Sequence, residues 1–143
     1  MERLDDFRSV FAQMVVARGG CPANREVLRA FSTVPRHLFV GTGPWAVIED
    51  GTCTGTDDPA LVYQDVGLGL APAIPTGLPS LHARMLDALS ISQGEHIVQV
   101  GAGTGYFTAI LAELTGATGR VDAFEIDGAL AARAETNLRS WPW

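Results

Sequence analysis

Cysteine is scarce in this sequence, with only Cys21 and Cys53 in 143 residues. The two lie in different local contexts, and neither belongs to a C-x-x-C pair. This pattern argues against a disulfide framework and against a structural zinc site. We expect two reduced thiols in a cytoplasmic protein, and no bound metal.

Positive charge is also in short supply. The chain has ten Lys and Arg residues and sixteen Asp and Glu residues, which give a formal net charge of −6. Nucleic-acid-binding proteins usually carry a basic face, so a nucleic-acid partner is not expected. Long apolar runs are missing as well, and the amino terminus, Met1–Asp6, is acidic and unlike a signal peptide. We therefore expect no membrane partner and, at this length, one domain at most.

Glycine, by contrast, is concentrated in one informative motif. The segment His96–Tyr106 reads HIVQVGAGTGY, an apolar run that leads into Gly101, Gly103 and Gly105. A second apolar run ends at Glu125, twenty residues after the last of these glycines. This order predicts a strand, a tight glycine turn, a helix and a second parallel strand that ends in a carboxylate.

The chemistry of this predicted unit suits a nucleoside cofactor. Residues without a Cβ adopt positive φ easily and let a ligand approach the backbone closely. A carboxylate at the end of the second strand can accept hydrogen bonds from both hydroxyls of a ribose. Because ligands of open parallel sheets bind beyond the carboxyl ends of the strands, the glycine loop and Glu125 should share one site.

The glycine spacing distinguishes between cofactors. Dinucleotide-binding loops read G-x-G-x-x-G, whereas this loop reads G-x-G-x-G and continues with the bulky Tyr106, Phe107 and Thr108. Those side chains stand where a pyrophosphate would need access. The segment resembles the G-x-G-x-G loop of S-adenosyl-L-methionine-dependent methyltransferases, and this resemblance implies a cofactor that has no phosphate. An NAD-dependent oxidoreductase is the disfavoured alternative.

Hydrophobic periodicity places the remaining elements. Residues 34–40 read as a short turn that returns to extended chain, residues 41–60 as a mobile loop, and residues 61–79 as extended, irregular chain. Helices are predicted over residues 3–18, 25–31, 80–89, 106–114 and 128–138, and strands over residues 97–100 and 121–126.

Two parallel strands alone make a marginal sheet. The sequence ends at Trp141-Pro142-Trp143 soon after the second strand. We therefore expect either a further carboxyl-terminal segment in the native protein or pairing with another chain, a homo-oligomer included.

Four blocks resemble, in order, the protein-L-isoaspartate O-methyltransferase family. The first contains Val-Pro-Arg, which general methyltransferases lack. The resemblance implies an α/β, Rossmann-like S-adenosylmethionine-dependent methyltransferase fold, here with its first strands only, and an N-terminal helical subdomain. It also implies two parts of the chain. Residues 1–79 would form the helical subdomain with a substrate-side loop, and residues 80–143 would form the first part of the methyltransferase domain. The blocks are Val34–Val40, Tyr63–Asp65, Leu78–Leu86 and Ile97–Tyr106.

The same resemblance implies the reaction and the site. Members transfer a methyl group from S-adenosylmethionine to the α-carboxylate of an isoaspartyl residue in a peptide or protein. The acceptor would be bordered by Asp65, Thr76 and Gly77. The cofactor would contact Gln99, Gly101, Ala102, Gly103, Gly105, Tyr106, Glu125 and Ile126.

This chain departs from the family's pattern at the acceptor. A family threonine falls on Pro75 and a family serine on Gly77, so that Thr76 is the nearby hydroxyl that can substitute. The family glutamate before the glycine loop is Gln99, which keeps an acceptor oxygen but loses the charge. His82 replaces an aliphatic residue and is interpreted as a partly exposed helical histidine rather than a base.

Two further hypotheses stay open at this point. The chain could be a specialised biosynthetic O-methyltransferase whose acceptor is a different, small-molecule carboxylate. It could also be a non-catalytic or truncated cofactor-binding module that acts through partners.

Overall fold

The computed structural model describes residues 2–141, with side chains from residue 6 onward. The side chain of Leu4, on the helix predicted over residues 3–18, and the residues Pro142 and Trp143 lie outside the described part. The helices are α1 (Glu2–Gly19), α2 (Arg25–Thr33), α3 (Arg36–Phe39), α4 (Pro79–Leu89), α5 (Tyr106–Thr115) and α6 (Gly128–Ser140), with a 3₁₀ turn at Pro59–Tyr63. The strands are β1 (Trp45–Glu49), β2 (Thr52–Thr56), β3 (Gly67–Ala71), β4 (Ile74–Pro75), β5 (His96–Val100) and β6 (Arg120–Phe124).

Local sequence signals explain where several helices begin. The side chain of Asn24 accepts a hydrogen bond from the backbone N–H of Val27 at 3.0 Å and so caps α2. Asp127 does the same for α6 through the N–H groups of Ala129 and Leu130. Five of the helices were predicted at nearly these bounds.

The two strands predicted around the glycine loop are confirmed as a parallel pair. β5 and β6 align in register, with Ile97 opposite Val121 and Val100 opposite Phe124. α5 connects them, as parallel strands require. The order strand, glycine loop, helix, strand therefore brings the loop and the end of β6 to the same edge.

Residues 41–60, predicted as a mobile loop, instead contain an antiparallel hairpin formed by β1 and β2. Asp50 and Gly51, which join the two strands, have φ of 47° and 78°. Positive φ at both central residues is the type I′ turn that matches the twist of a hairpin, and Asp-Gly is its usual sequence. Of the Gly, Thr and Asp content that suggested a loop, Asp50 and Gly51 form the tight turn, whereas the three threonines that follow belong to β2, where β-branched side chains are favoured.

The segment 61–79, predicted as extended and irregular, contributes two more strands. β3 pairs with β1, and β4 with β3, so that a four-stranded antiparallel sheet has the order β2-β1-β3-β4. Residues 34–40, predicted as a turn that returns to extended chain, instead contain the short helix α3. The amino-terminal part therefore contains helices and a small antiparallel sheet. The hydrophobic periodicity of the sequence did not indicate this sheet.

One hydrophobic core joins the two halves of the chain. Phe11 and Phe31, on α1 and α2, are buried together with Leu86 of α4 and with Tyr106 and Ile110 of α5. This cluster contains residues from before and after residue 79. The predicted division of the chain into residues 1–79 and 80–143 stays a prediction. No helix within residues 2–141 combines the length and the apolar character that a membrane crossing needs.

Candidate active site

A cleft of about 470 Å³ opens between two walls. The first wall is formed by β4 and α4, and the second by β5, the glycine loop and α5. Most of the residues that the family resemblance implies as site residues line this cleft. Its lining includes Thr76, Gly77, His82, Gln99, Gly101, Ala102, Gly103, Tyr106, Phe107 and Glu125, and none of the described residues that line it is Lys or Arg.

The glycine loop adopts the backbone conformation for which its sequence is suited. Gly101, Gly103 and Gly105 have φ of 83°, 58° and 91°, values that residues with a Cβ rarely adopt. The N–H groups of Gly101 and Ala102 donate to the carbonyl of Phe124, which fastens the loop to the end of β6. The spacing of the three glycines therefore reflects three left-handed residues in a single turn.

Glu125 faces the glycine loop. One carboxylate oxygen accepts a hydrogen bond from the N–H of Gly103 at 2.7 Å, and the other accepts from the N–H of Asp127 at 2.9 Å. The N–H groups of Asp127 and Gly103 hold the pKa of this carboxyl below its usual value of 4.5. The group is an anion at neutral pH, and each oxygen keeps a further lone pair for a ligand.

Gln99 and Tyr106 also lie on the second wall. The Oε1 atom of Gln99 accepts a hydrogen bond from the hydroxyl of Thr108 at 2.7 Å, which fixes the amide. Tyr106 is 3% exposed and packs edge-on against Phe31 and Phe107. Tyr106 thus shapes the cleft as a core residue.

Thr76 holds its hydroxyl in a defined orientation on the first wall. Its Oγ1 accepts from the N–H of Leu68 at 2.9 Å and from Nη2 of Arg36 at 3.4 Å. A hydroxyl has two acceptor lone pairs and one donor proton, so these bonds leave the proton available for a ligand. Thr76 and the neighbouring Gly77 both line the cleft.

His82 is positioned more firmly than an exposed helical histidine would be. Its ring stacks on Phe107, with centroids 3.5 Å apart and planes 5° apart. Nδ1 lies 3.0 Å from the carbonyl oxygen of Leu78. Burial, opposed by that hydrogen bond and supported by the charge of Arg36, lowers the pKa of His82 below its usual 6.5.

Three of the implied residues do not line the cleft: Asp65, Ile126 and Gly105, which lies at the start of α5 next to Leu138 of α6. Asp65 accepts a hydrogen bond from the N–H of Ser80 at 2.8 Å and lies 3.5 Å from Arg18. It therefore caps the start of α4, where the local N-cap residue Leu78 has no side-chain acceptor. Ile126 is fully exposed and is not part of the lining.

Arg36 supports the first wall and was not singled out from the sequence. It is completely buried, and its guanidinium donates to the carbonyls of Val62, Gln64 and Val66 at 2.8–3.0 Å. Burial lowers the pKa of Arg36 to about 10, which leaves it charged at neutral pH. The Val-Pro-Arg sequence that carried the family resemblance could have marked it.

α6 supports the glycine loop from behind. The amide of Asn137 donates to the carbonyl of Thr104 at 2.9 Å, and Arg133 donates to the carbonyl of Leu70 at 3.1 Å. Neither residue gave a signal in the sequence, because the partners are 33 and 63 positions away.

The fold defines the structural class of this protein, which is α/β and Rossmann-like. Two solved structures share the fold: a protein-L-isoaspartate O-methyltransferase, with a TM-score of 0.72 and 20% identity, and a Plasmodium falciparum protein described as a protein-L-isoaspartate O-methyltransferase in complex with S-adenosyl-L-homocysteine, with 0.68 and 18%. Each likeness covers 92% of this chain, and 38% and 55% of the respective structures. The predicted α/β, Rossmann-like methyltransferase fold is confirmed.

The particular family follows from the sequence comparisons. A profile of the Protein-L-isoaspartate(D-aspartate) O-methyltransferase (PCMT) family matches residues 15–141. The chain belongs to this family, as the four blocks predicted.

Named relatives agree with this assignment. The Protein-L-isoaspartate O-methyltransferase of Aeropyrum pernix is 35% identical over 136 residues, which are 94% of this chain and 47% of the relative. That of Xanthobacter autotrophicus is 37% identical over 101 residues, which are 68% of this chain and 38% of the relative. The chain thus spans about half the length, or less, of these curated relatives.

Proposed function

We propose that this chain provides the cofactor site of an S-adenosyl-L-methionine-dependent O-methyltransferase that acts on a carboxylate. The observation that carries the proposal is the Glu125 carboxylate bound to the N–H of Gly103. This contact puts an anion with free lone pairs beside a loop that a ligand can approach closely.

The residues of the cleft fit this cofactor better than a dinucleotide. A volume of about 470 Å³ is in the range of small-molecule sites. Within the part of the chain that the structure describes, the lining has no Lys or Arg for phosphates and has one carboxylate, Glu125, which suits a cationic ligand. When bound, S-adenosylmethionine would supply an activated methyl group.

Each contact to the cofactor is assigned by position. Glu125 would accept the two ribose hydroxyls, and the loop at Gly101, Ala102, Gly103 and Gly105 would pass beneath the ligand. Gln99 would lie near the methionine end, where its amide replaces an acidic side chain. Ile126 would reach the cofactor only if the chain after β6 moved, since its side chain now points to solvent.

The acceptor end is assigned to Thr76 and Gly77. The free proton of the Thr76 hydroxyl would donate to a carboxylate, and the charge of Arg36 behind it favours an anion there. A carboxylate is ionised at neutral pH and needs no general base. The protein would therefore act by aligning the two reactants and excluding water.

We further infer that the acceptor is an isoaspartyl peptide or protein, as the names of the relatives suggest, and that the reaction is cytoplasmic. Asp65 would then act indirectly, since it fixes the start of α4. The division into residues 1–79 and 80–143 would separate the acceptor side from the cofactor side.

A second candidate is an O-methyltransferase for another carboxylate. It is favoured by one observation, the absence of a side chain at Gly77 on the cleft wall. A cofactor-binding module without catalysis is the third candidate, and the experiment below separates all three.

The test begins with calorimetric titration of S-adenosyl-L-homocysteine into this chain. Labelled S-adenosylmethionine is then supplied with an isoaspartyl peptide, with the normal aspartyl peptide as the matched control. Methyl ester on the isoaspartyl peptide alone supports the first proposal. Binding with transfer only to other carboxylates supports the second candidate, and binding without any transfer supports the third. A lack of binding by the folded chain contradicts all three.

A further inference from the structure

The space next to Gly77 that a side chain would need is filled by the ring of His82. The φ of Gly77 is outside the left-handed region, so its backbone would accept a side chain. A Cβ at this position would overlap Cε1 of His82 and lie 2.9 Å from Nδ1 and 3.2 Å from Nε2. The imidazole of His82 therefore occupies the space that a side chain at position 77 would take.

The ring of His82 is held in this place from two directions. It stacks face to face on Phe107, and its Nδ1 is within hydrogen-bond distance of the carbonyl of Leu78. A carbonyl oxygen only accepts, so Nδ1 must be the protonated nitrogen. Stacking and the hydrogen bond together leave the ring little freedom to turn away.

This arrangement determines what Nε2 can do. With the proton on Nδ1, Nε2 of the neutral ring is an acceptor only. The lowered pKa keeps the ring neutral at pH 7. Among the described residues the structure gives Nε2 no hydrogen-bond partner, and His82 and Thr76 line the same cleft.

We propose that His82 is a specificity-determining residue: its ring replaces a side chain at position 77, and its Nε2 accepts a hydrogen bond from an N–H or O–H next to the acceptor carboxylate. This proposal rests on the function proposed above. The cleft then offers a donor, the Thr76 hydroxyl, and an acceptor, Nε2. The matching ligand carries a carboxylate with an adjacent donor, as a peptide chain does.

The steric part of the proposal is tested without cofactor or activity. Gly77→Ala is made in the wild-type chain and in His82→Ala, and each pair is compared by urea unfolding. We expect Gly77→Ala to lower the unfolding midpoint when His82 is present and not to lower it in His82→Ala. An equal loss in both backgrounds would overturn the steric coupling.

The chemical part is tested by binding in the presence of S-adenosyl-L-homocysteine. The two ligands are an isoaspartyl peptide and the same peptide methylated on the isoaspartyl amide nitrogen, which removes the N–H. We expect wild type to bind the unmethylated peptide about fivefold to tenfold more tightly, the value of one hydrogen bond. The ¹⁵N resonance of His82 Nε2 should shift with that peptide and not with the methylated one.

Two variants complete the design. His82→Phe keeps an aromatic ring over Phe107 without the nitrogen, and should bind both peptides equally. His96→Gln changes a histidine that pairs with Asp122 outside the cleft, and should discriminate like wild type.

Each outcome has a separate meaning. Absence of S-adenosyl-L-homocysteine binding would overturn the proposed function and this inference together. Cofactor binding with no peptide binding would overturn the acceptor assignment and the role of Nε2. Binding of both peptides with equal affinity by wild type, or undiminished discrimination by His82→Phe, would overturn the role of His82 alone.

Discussion

At the scale of single residues, the candidate site depends on groups whose state is set by close neighbours. The pKa of Glu125 is lowered because two backbone N–H groups donate to its carboxylate. Thr76 has a free proton because both of its lone pairs are used. Such states depend on contacts of about 3 Å, and the identity of a residue in the sequence does not reveal them.

Glu125→Gln should weaken binding of S-adenosyl-L-homocysteine about tenfold to a hundredfold, because hydrogen bonds to a charged group contribute about 1.5–3 kcal/mol. Calorimetry measures the change. Asp122→Asn is the matched control, since Asp122 pairs with Arg120 and His96 away from the cleft. Equal affinities for wild type and Glu125→Gln would contradict the ribose assignment.

The lowered pKa of Glu125 also predicts a pH dependence. Its ionised form is favoured in the folded state, so its contribution to stability is fully present above the usual value of 4.5 and is lost as pH falls through the lower folded value. The difference in unfolding free energy between wild type and Glu125→Gln should be constant above about pH 4.5 and shrink below it. Urea unfolding at a series of pH values measures this, and a difference that shrinks already between pH 7 and 5.5 would contradict it.

At the scale of elements, the turns and helix starts determine the shape of the cleft. The glycine loop joins β5 to α5, and Ala134 and Leu138 of α6 lie next to Gly105 at the end of that loop. The start of α4 is held by Asp65, fifteen positions before Ser80, which links it to the chain that follows the 3₁₀ turn. Both walls of the cleft are therefore fixed at their ends.

Gly105→Ala should destabilise the fold by about 1–2 kcal/mol, the usual cost of a left-handed conformation for a residue with a Cβ. The new Cβ would also lie 3.2 Å from Cγ of Leu138. Gly55→Ala, in β2 with open space around it, is the control and should change stability by less than about 0.5 kcal/mol. Similar urea midpoints for the two variants would show that the loop can relax.

Asp65→Ala should cost about 1 kcal/mol, the typical value of a helix cap, because the N–H of Ser80 loses its acceptor. Asp65→Asn keeps an acceptor oxygen and loses only the charge near the largely exposed Arg18, so it should remain close to wild type. Thermal and urea unfolding test both. If Asp65→Asn keeps its stability but loses peptide binding, Asp65 contacts the acceptor directly after all.

At the scale of the whole molecule, one face of the parallel pair has no partner within the described residues. Val98, Val100 and Phe124 share that face and are 62%, 85% and 60% exposed. Contiguous exposed apolar surface of this kind usually marks an interaction site. The exposed apolar Ile126 follows directly after the end of β6.

We expect the isolated chain to associate through this face at high concentration. Phe124→Lys should reduce the association, since a charge cannot be buried there without cost. Val10→Lys, which changes an exposed apolar residue on α1, is the control. Sedimentation velocity over a range of concentrations gives the readout, and equal association of both variants would exclude this face.

How much could be predicted differs between the two sheets. The parallel pair was predicted because its signals are local: an apolar run, three glycines and an acid at a fixed distance. The antiparallel sheet was missed because β1 pairs with β3 about twenty residues away. The apolar run of β1, Trp45–Ile48, stands among Gly, Thr, Asp and Pro residues, and together with Asp50-Gly51 it was interpreted as part of a loop.

The sequence by itself determined the glycine turn, the cap at Asn24 and the family, because each depends on residues close together in the chain. Only the tertiary structure decided that Asp65 caps a helix, that Arg36 is buried behind Thr76, and that His82 fills the space at Gly77. These contacts form between separate elements or depend on a particular side-chain orientation. They exist only once the two walls of the cleft have packed on the shared core.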